Sequence, residues 1–207
     1  MSYGIILIKI LPNEFLDEFL DGFIFLNTYD FFKNLDSSDQ VRSDPYEGVD
    51  ECWQIESLHI ADKDGNWVPI GGIKSPITYN APNKVKSNIL CLYSYTDRKD
   101  DCFDQRNFGF GNVAVIIKDS KEFIRRMKLS ATAEGKVIYQ GPITYVDKNT
   151  YHGTMGPFKK FSSLNYQNEF RFWLTGGNGE PCRLNLGCIR DIVMVVPSNT
   201  IPKIPKT

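Results

Sequence analysis

The stretch Tyr166-Gln167-Asn168-Glu169-Phe170-Arg171-Phe172-Trp173-Leu174 decides how this chain is read. Aromatic residues recur in it at a period of two, and Gly176-Gly177-Asn178-Gly179 stops it, so the pattern predicts a strand. Alternation places Tyr166, Asn168, Phe170 and Phe172 on one face, and Gln167, Glu169, Arg171 and Trp173 on the other. The first face is mostly aromatic and reads as core. The second sets an amide, a carboxylate and a guanidinium in a row beside an indole, without the Lys, Ser or Thr that a water-facing strand usually mixes in. Two readings follow. Either the row lines a cleft, or Glu169 and Arg171 form a solvated ion pair that contributes little stability.

The rest of the chain supplies partners for such a strand. Upstream, Asp147–Ser163 is a polar loop carrying Lys159-Lys160, and Val137–Val146 is a strand in which Gly141-Pro142 marks a bulge or an edge. Asp119 and Glu122 fit a capping box before a helix whose buried stripe is Phe123, Ile124 and Met127, with Arg125, Arg126 and Lys128 solvated. Val113–Lys118 and Ile89–Thr96 are further strands, the latter ending in Ser94, Tyr95 and Thr96. At the N-terminus Gly4–Ile10 is an almost continuous apolar run with Lys9 as its one charge, which predicts a strand buried on both faces. Pro12-Asn13 breaks it. Asn13 is then the cap of a helix over Glu14–Asp21, with Phe15, Leu16, Phe19 and Leu20 on one stripe and Gly22 at the C-terminal glycine position. Phe23–Leu26 reads as a second strand and Asn27–Leu35 as a short aromatic segment.

Asp36–Glu56 gathers Asp39, Asp44, Glu47, Asp50, Glu51 and Glu56 around one base, Arg42. Its spacing fits no EF-hand loop, and it reads as a solvated acidic loop. Asp64-Gly65 between two apolar runs marks a hairpin. Arg183–Leu186 and Ile189–Val196 are the last strands, and the Pro-rich tail Pro197–Thr207 reads as a loose or surface-bound end. The expected architecture is a single α+β domain over residues 1–207, built on a twisted, mostly antiparallel sheet with two short helices.

Composition narrows the function classes. A formal net charge of −1 offers no global field to draw in polyanions. The five Cys form no CxxC pair, and only two His are present, so reduced thiols and no metal site are expected. No apolar run reaches membrane-spanning length, and the expected setting is the cytoplasm, without a membrane. P-loop, Rossmann glycine and HExxH signatures are absent, and no aromatic-basic RNA-binding motif is present.

Three patches carry a resemblance: Phe19–Phe32 (FLDGFIFLNTYDFF), Arg42-Ser43-Asp44-Pro45-Tyr46-Glu47-Gly48, and YQNEFRFWL. Together they resemble an uncharacterised family of bacterial and phage proteins. That layout is in turn similar to the ADP-ribosyltransferase superfamily, including the DarT-like toxins. Those enzymes have an early strand with Arg or His, a following helix, a middle strand with a hydroxyl residue and a late strand with Glu, in one branch as Gln-x-Glu. The resemblance implies an ADP-ribosyltransferase-like fold and NAD as substrate. It also implies an acceptor macromolecule, protein or nucleic acid, and the setting of a toxin or a phage or defence factor.

Carried over by position, Gln167-Asn168-Glu169 matches Gln-x-Glu, and Ser94 and Thr96 match the middle-strand hydroxyl motif. Lys9 stands where Arg or His is expected, which is a departure, because an ammonium does not reproduce a guanidinium fork. Glu169 would stabilise the oxocarbenium-like ribose and Gln167 would orient the acceptor. Lys9, Tyr93, Ser94, Thr96 and Arg171 would serve the NAD, with Tyr93 or Tyr95 stacking on the nicotinamide ring and Arg171 keeping Glu169 ionised. The alternative is a non-catalytic phage or bacterial accessory binding protein in which Glu169 and Arg171 are a structural pair.

Overall fold

The computed structural model describes residues 5–35, 41–72, 74–81, 86–95 and 103–203. Its first strands are Ile6–Leu11 (β1), Phe23–Thr28 (β2), Glu51–Trp53 (β3), His59–Ala61 (β4), Trp67–Pro69 (β5), Ile77–Tyr79 (β6), Ser87–Tyr95 (β7) and Val113–Ile117 (β8). Then come Val137–Pro142 (β9), Thr144–Val146 (β10), Gly153–Thr154 (β11), Lys159–Phe161 (β12), Glu169–Thr175 (β13), Cys182–Asn185 (β14) and Val193–Pro197 (β15). Three α-helices accompany them: Leu16–Leu20 (α1), Tyr29–Lys33 (α2) and Ser120–Ala133 (α3). The fold is mixed α+β and mostly antiparallel; the one parallel pairing among the described residues is β10 with β12.

β7 organises the eight-stranded main sheet. Along one edge β13 pairs with it from Glu169↔Tyr93 to Thr175↔Ser87. The other edge is shared: β1 takes Tyr93–Tyr95, and β2 takes Asn88 and Ile89. Between them Leu90–Leu92 has neither strand beside it, so the sheet forks. The sequence explains the divergence. Pro12 and the helical turn of residues 13–20 carry the chain away from β1, and Gly22 turns it back into β2. Gly22 has φ +88°, and a Cβ there would collide with the Gly187 carbonyl, so only glycine fits the return.

One face of the sheet packs the larger core. Phe170, Phe172 and Leu174 of β13 and Leu90 and Leu92 of β7 meet Phe123, Met127 and Ala131 of α3 and Phe19 of α1. The opposite face holds a second cluster with Ile8, Ile10, Tyr93, Phe103 and Ile116. A third, with Val49, Cys52, Met155 and Phe161, sits under the smaller sheet β11-β3-β6. Within the described residues no helix is long and apolar enough to cross a membrane.

Several expectations hold: β1 has Leu7, Ile8, Ile10 and Leu11 buried, β4 and β5 form the hairpin around Asp64-Gly65, and Asp119 caps α3 by accepting from the Glu122 N–H at 2.9 Å. Others change. Asn13 is not a cap, because it opens a 3-10 turn with no side-chain cap bond. Asn27–Leu35 contains a short helix, α2, capped by Thr28 Oγ1 accepting from the Phe31 N–H; five residues are too few to show a helical period. The strand expected over Val137–Val146 breaks at Ile143, where β10 leaves β13 to pair with β12. The C-terminal tail is docked as far as Ile201, which is buried in the second cluster.

Candidate functional site

β13 starts at Glu169, three residues later than its alternation implies. Ser162–Gln167 is a 3-10 helix, and Asn168 sits in the left-handed region at φ 36°, which Asn tolerates better than most residues. Two bonds fix this corner: the Ser94 N–H donates to the Asn168 carbonyl at 2.7 Å, and Asn168 Nδ2 donates to the Ser94 carbonyl at 2.6 Å. From Glu169 onward the predicted alternation is correct. Phe170, Phe172 and Leu174 enter the core, while Glu169 and Arg171 share the opposite face with Cys91 and Tyr93, their partners across the pair.

That face is dry. Glu169 is 4% exposed and Arg171 0%, so the pair is not the solvated one that a surface strand would carry. Its partners come from the acidic segment and from β12. Arg171 donates to both oxygens of Glu47, at 2.6 and 2.9 Å, to Glu169 Oε1 through Nε at 2.6 Å, and to the Pro157 carbonyl at 2.9 Å. Lys160 Nζ lies 2.9 Å from Glu169 Oε2, 3.3 Å from Glu47 Oε2 and 3.8 Å from Asp44 Oδ2, and donates to Gln167 Oε1 at 3.0 Å. Asp44, Glu47 and Lys160 are all at least 90% buried. The reading of Asp36–Glu56 as a solvated acidic loop is therefore corrected at Asp44 and Glu47, because two buried cations draw these carboxylates inward. Asp39 lies outside the described residues.

The electrostatics are balanced. Burial alone would raise the Glu169 carboxyl, but Arg171 and Lys160 more than reverse this and hold it far below the carboxylate range. Glu47 is lowered in the same way by Arg171 and Lys160 against its own burial. Lys160 is raised, since Glu169 and Glu47 outweigh the burial that would lower it. Two carboxylates and two cations thus cancel, and burial pushes the third carboxyl, Asp44, upward toward its neutral form. Unpaired charge here would be costly.

A cavity of about 700 Å³ opens in the fork between β1 and β2. Lys9, Arg42, Glu47, Cys91, Tyr93, Lys160, Gln167 and Glu169 are among its polar lining, with Glu14, Glu18, Asn27, Asn107 and Arg183. Phe15, Phe23, Phe25 and Phe31 are among its apolar lining and are all part-exposed. Lys9 crosses the fork to donate to the Cys91 carbonyl at 3.1 Å, and burial lowers its ammonium pKa. Burial, reinforced by Glu169, pushes the Cys91 thiol up to about 12, so it is an inert lining group. The Gln167 amide is anchored through Nε2 to the Val41 carbonyl at 3.0 Å.

Of the residues singled out in the sequence, Lys9, Tyr93, Gln167 and Glu169 therefore meet at one cavity. Arg171 does not line it and stands behind Glu169. Ser94 is buried outside the lining, its backbone holding Asn168. Thr96 lies outside the described residues. Asp44, Glu47 and Lys160 were missed as site residues. The pairing of Glu47 with Arg171 is long-range, across 124 positions, and no local signal marks it. No protein-family model matches this chain, and no curated protein or solved structure is significantly similar to it.

Proposed function

We propose that the forked-sheet cavity binds NAD and that the chain is an ADP-ribosyltransferase-like enzyme. The carrying observation is that Lys9, Tyr93, Gln167 and Glu169, from three separate stretches of sequence, line one cavity in which Glu169 is ionised. The volume falls within the usual range for small-molecule sites.

The chemistry follows from the carboxylate. The bond between ribose C1′ and the nicotinamide nitrogen breaks, its electron pair leaves with nicotinamide, and positive charge builds on the ribose. A fixed carboxylate in a water-poor cavity stabilises that charge, and a ribose hydroxyl donates to it. A nucleophile of the acceptor, protein or nucleic acid, then attacks C1′. Tyr93 offers a ring for the nicotinamide, and Gln167 keeps one donor and one lone pair free of its two anchoring bonds for the acceptor. Arg171 acts through Glu169 by keeping it ionised, and Ser94 has no part in contacting the ligand. Such an enzyme would fit the setting of a toxin or a phage or defence factor, in keeping with the resemblance to DarT-like toxins.

Nicotinamide release from NAD by the wild type and by Glu169→Gln tests this. Turnover should fall about 10²–10³-fold in a variant that circular dichroism shows to be folded. Retained turnover would remove the assignment. A non-catalytic binding role draws on a different observation: the β4–β5 hairpin exposes Ile60, Trp67 and Val68, and on the preceding strand β3 the exposed Trp53 stacks on Tyr79. That reading leads if the wild type leaves NAD intact.

A further inference from the structure

Glu169 does not stand in the cavity unaided. A glutamate on a strand end has three rotatable bonds, and only restraint at both oxygens gives its carboxylate one orientation. Oε1 is held by Arg171, which faces away from the cavity and is itself locked by the two-pronged bond to Glu47 and by the Pro157 carbonyl. Oε2 is held by Lys160 at 2.9 Å. Lys160 is also the one cation of this network that lines the cavity, and its ammonium is aimed by Gln167 Oε1 and Glu47 Oε2.

The network as a whole is a poor stability device. Buried ion pairs are frequently matched or bettered by apolar side chains of the same volume. A site that must present a carboxylate in one geometry has a use for it.

We propose that Lys160 is a positioning residue for Glu169: it fixes the Oε2 edge and keeps the carboxylate ionised when a ligand displaces water from the cavity. The catalytic meaning rests on the reading of the cavity as an NAD site; the positioning itself does not. The groups facing Glu169 are Arg171 on its own strand, Lys160 from β12, and Glu47 and Asp44 from the 41–50 segment. Around them stand Cys91 and Tyr93 of β7, Lys9 of β1, Tyr145 of β10 and Arg42, which lines the same cavity, the Tyr145 hydroxyl accepting from the Glu169 N–H at 2.9 Å. Of the cations, Lys160 and Arg171 touch its carboxylate. Deleting the lysine charge leaves Glu47 and Glu169 facing Arg171 alone.

The test titrates the Glu169 side-chain carboxyl carbon by NMR in wild type, Lys160→Gln and Lys160→Arg, without any ligand. The wild-type resonance should stay at its ionised position throughout the folded range. In Lys160→Gln the carboxyl loses a nearby opposite charge, so its resonance should begin to move toward the protonated position within the folded range, and Lys160→Arg should restore the wild-type behaviour. A Lys160→Gln resonance that stays at the ionised position over the same range overturns the proposal. Should Lys160→Gln not fold, the wild-type Nζ resonance decides: slow proton exchange, as for a sequestered ammonium, supports the role, and exchange as fast as that of exposed Lys121 or Lys128 overturns it. Kinetics add a separate readout. Lys160→Gln should lower kcat for nicotinamide release about tenfold or more with little change in KM, and Lys160→Arg should recover part of it. Absence of release from the wild type would defeat the NAD reading while the titration still judges Lys160.

Discussion

Replacing Glu47 by glutamine removes one charge from the buried network while keeping the side chain's size. In the wild type Glu47 takes two charge-assisted bonds from Arg171, at 2.6 and 2.9 Å, and lies 3.3 Å from Lys160. After the change Arg171 keeps Glu169 and the Pro157 carbonyl, and Lys160 keeps Glu169 and Gln167, so the interior carries one excess positive charge. Arg171 has no exposed surface over which water can compensate. Breaking a buried pair from one side costs about 3–5 kcal/mol. For a chain of this size each kcal/mol moves the melting temperature by about 2–4 °C, which gives a drop of about 6–20 °C. Asp44 modulates the result. Its carboxyl is raised by burial and can ionise to replace the lost charge as pH rises, so the deficit should be smaller at a high pH value than at a low one. Scanning calorimetry at both values, with Glu122→Gln on α3, a part-exposed carboxylate paired with Arg125 and Arg126, as control, measures this. A drop below about 2 °C, or one that Glu122→Gln reproduces, would refute the claim that the network is dry and mutually dependent.

Two more outcomes follow from the same geometry. Glu169 and Glu47 titrate below their ordinary range, so their stabilisation is complete above the unfolded carboxyl value of about 4.3 and drains as pH falls through the folded values. Asp44, raised, works in the opposite sense. Two depressed groups outweigh one, and urea midpoints should decline from pH 6 to pH 3; a flat or rising profile would contradict the assigned directions. Asn168→Ala combines a left-handed residue, about 1–2 kcal/mol, with loss of the bond to the Ser94 carbonyl, about 1 kcal/mol. Asn168→Gly should lose only the second, and equal urea midpoints for the two variants would show that φ is not strained there.

Much of the fold was legible because it follows local rules. The apolar run of β1, the Asp119 cap, the Asp64-Gly65 turn and the alternation of Phe170, Phe172 and Leu174 each need only near neighbours. Gln167 and Glu169 were legible as a pair, though for a reason that holds only in part: Asn168 in the left-handed region breaks the strand period between them, and the two still reach the same cavity. The partners of Glu169 were not legible. Glu47 is separated from Arg171 by 124 positions, and nothing local distinguishes Asp44 and Glu47 from the other acids of their segment. Long-range pairing alone makes them interior residues. The fork in the sheet was equally hidden, because it depends on β1 and β2 sharing one edge of β7, a fact about register and not about either strand's sequence.

The most direct measurement is a crystal structure of the protein with a non-hydrolysable NAD analogue bound. Density is expected in the fork between β1 and β2, with a ribose hydroxyl within hydrogen-bond distance of Glu169 and the nicotinamide ring against Tyr93. A bound analogue lying elsewhere, or no density at concentrations that saturate ADP-ribosyltransferases, would contradict the assignment of the cavity as an NAD site.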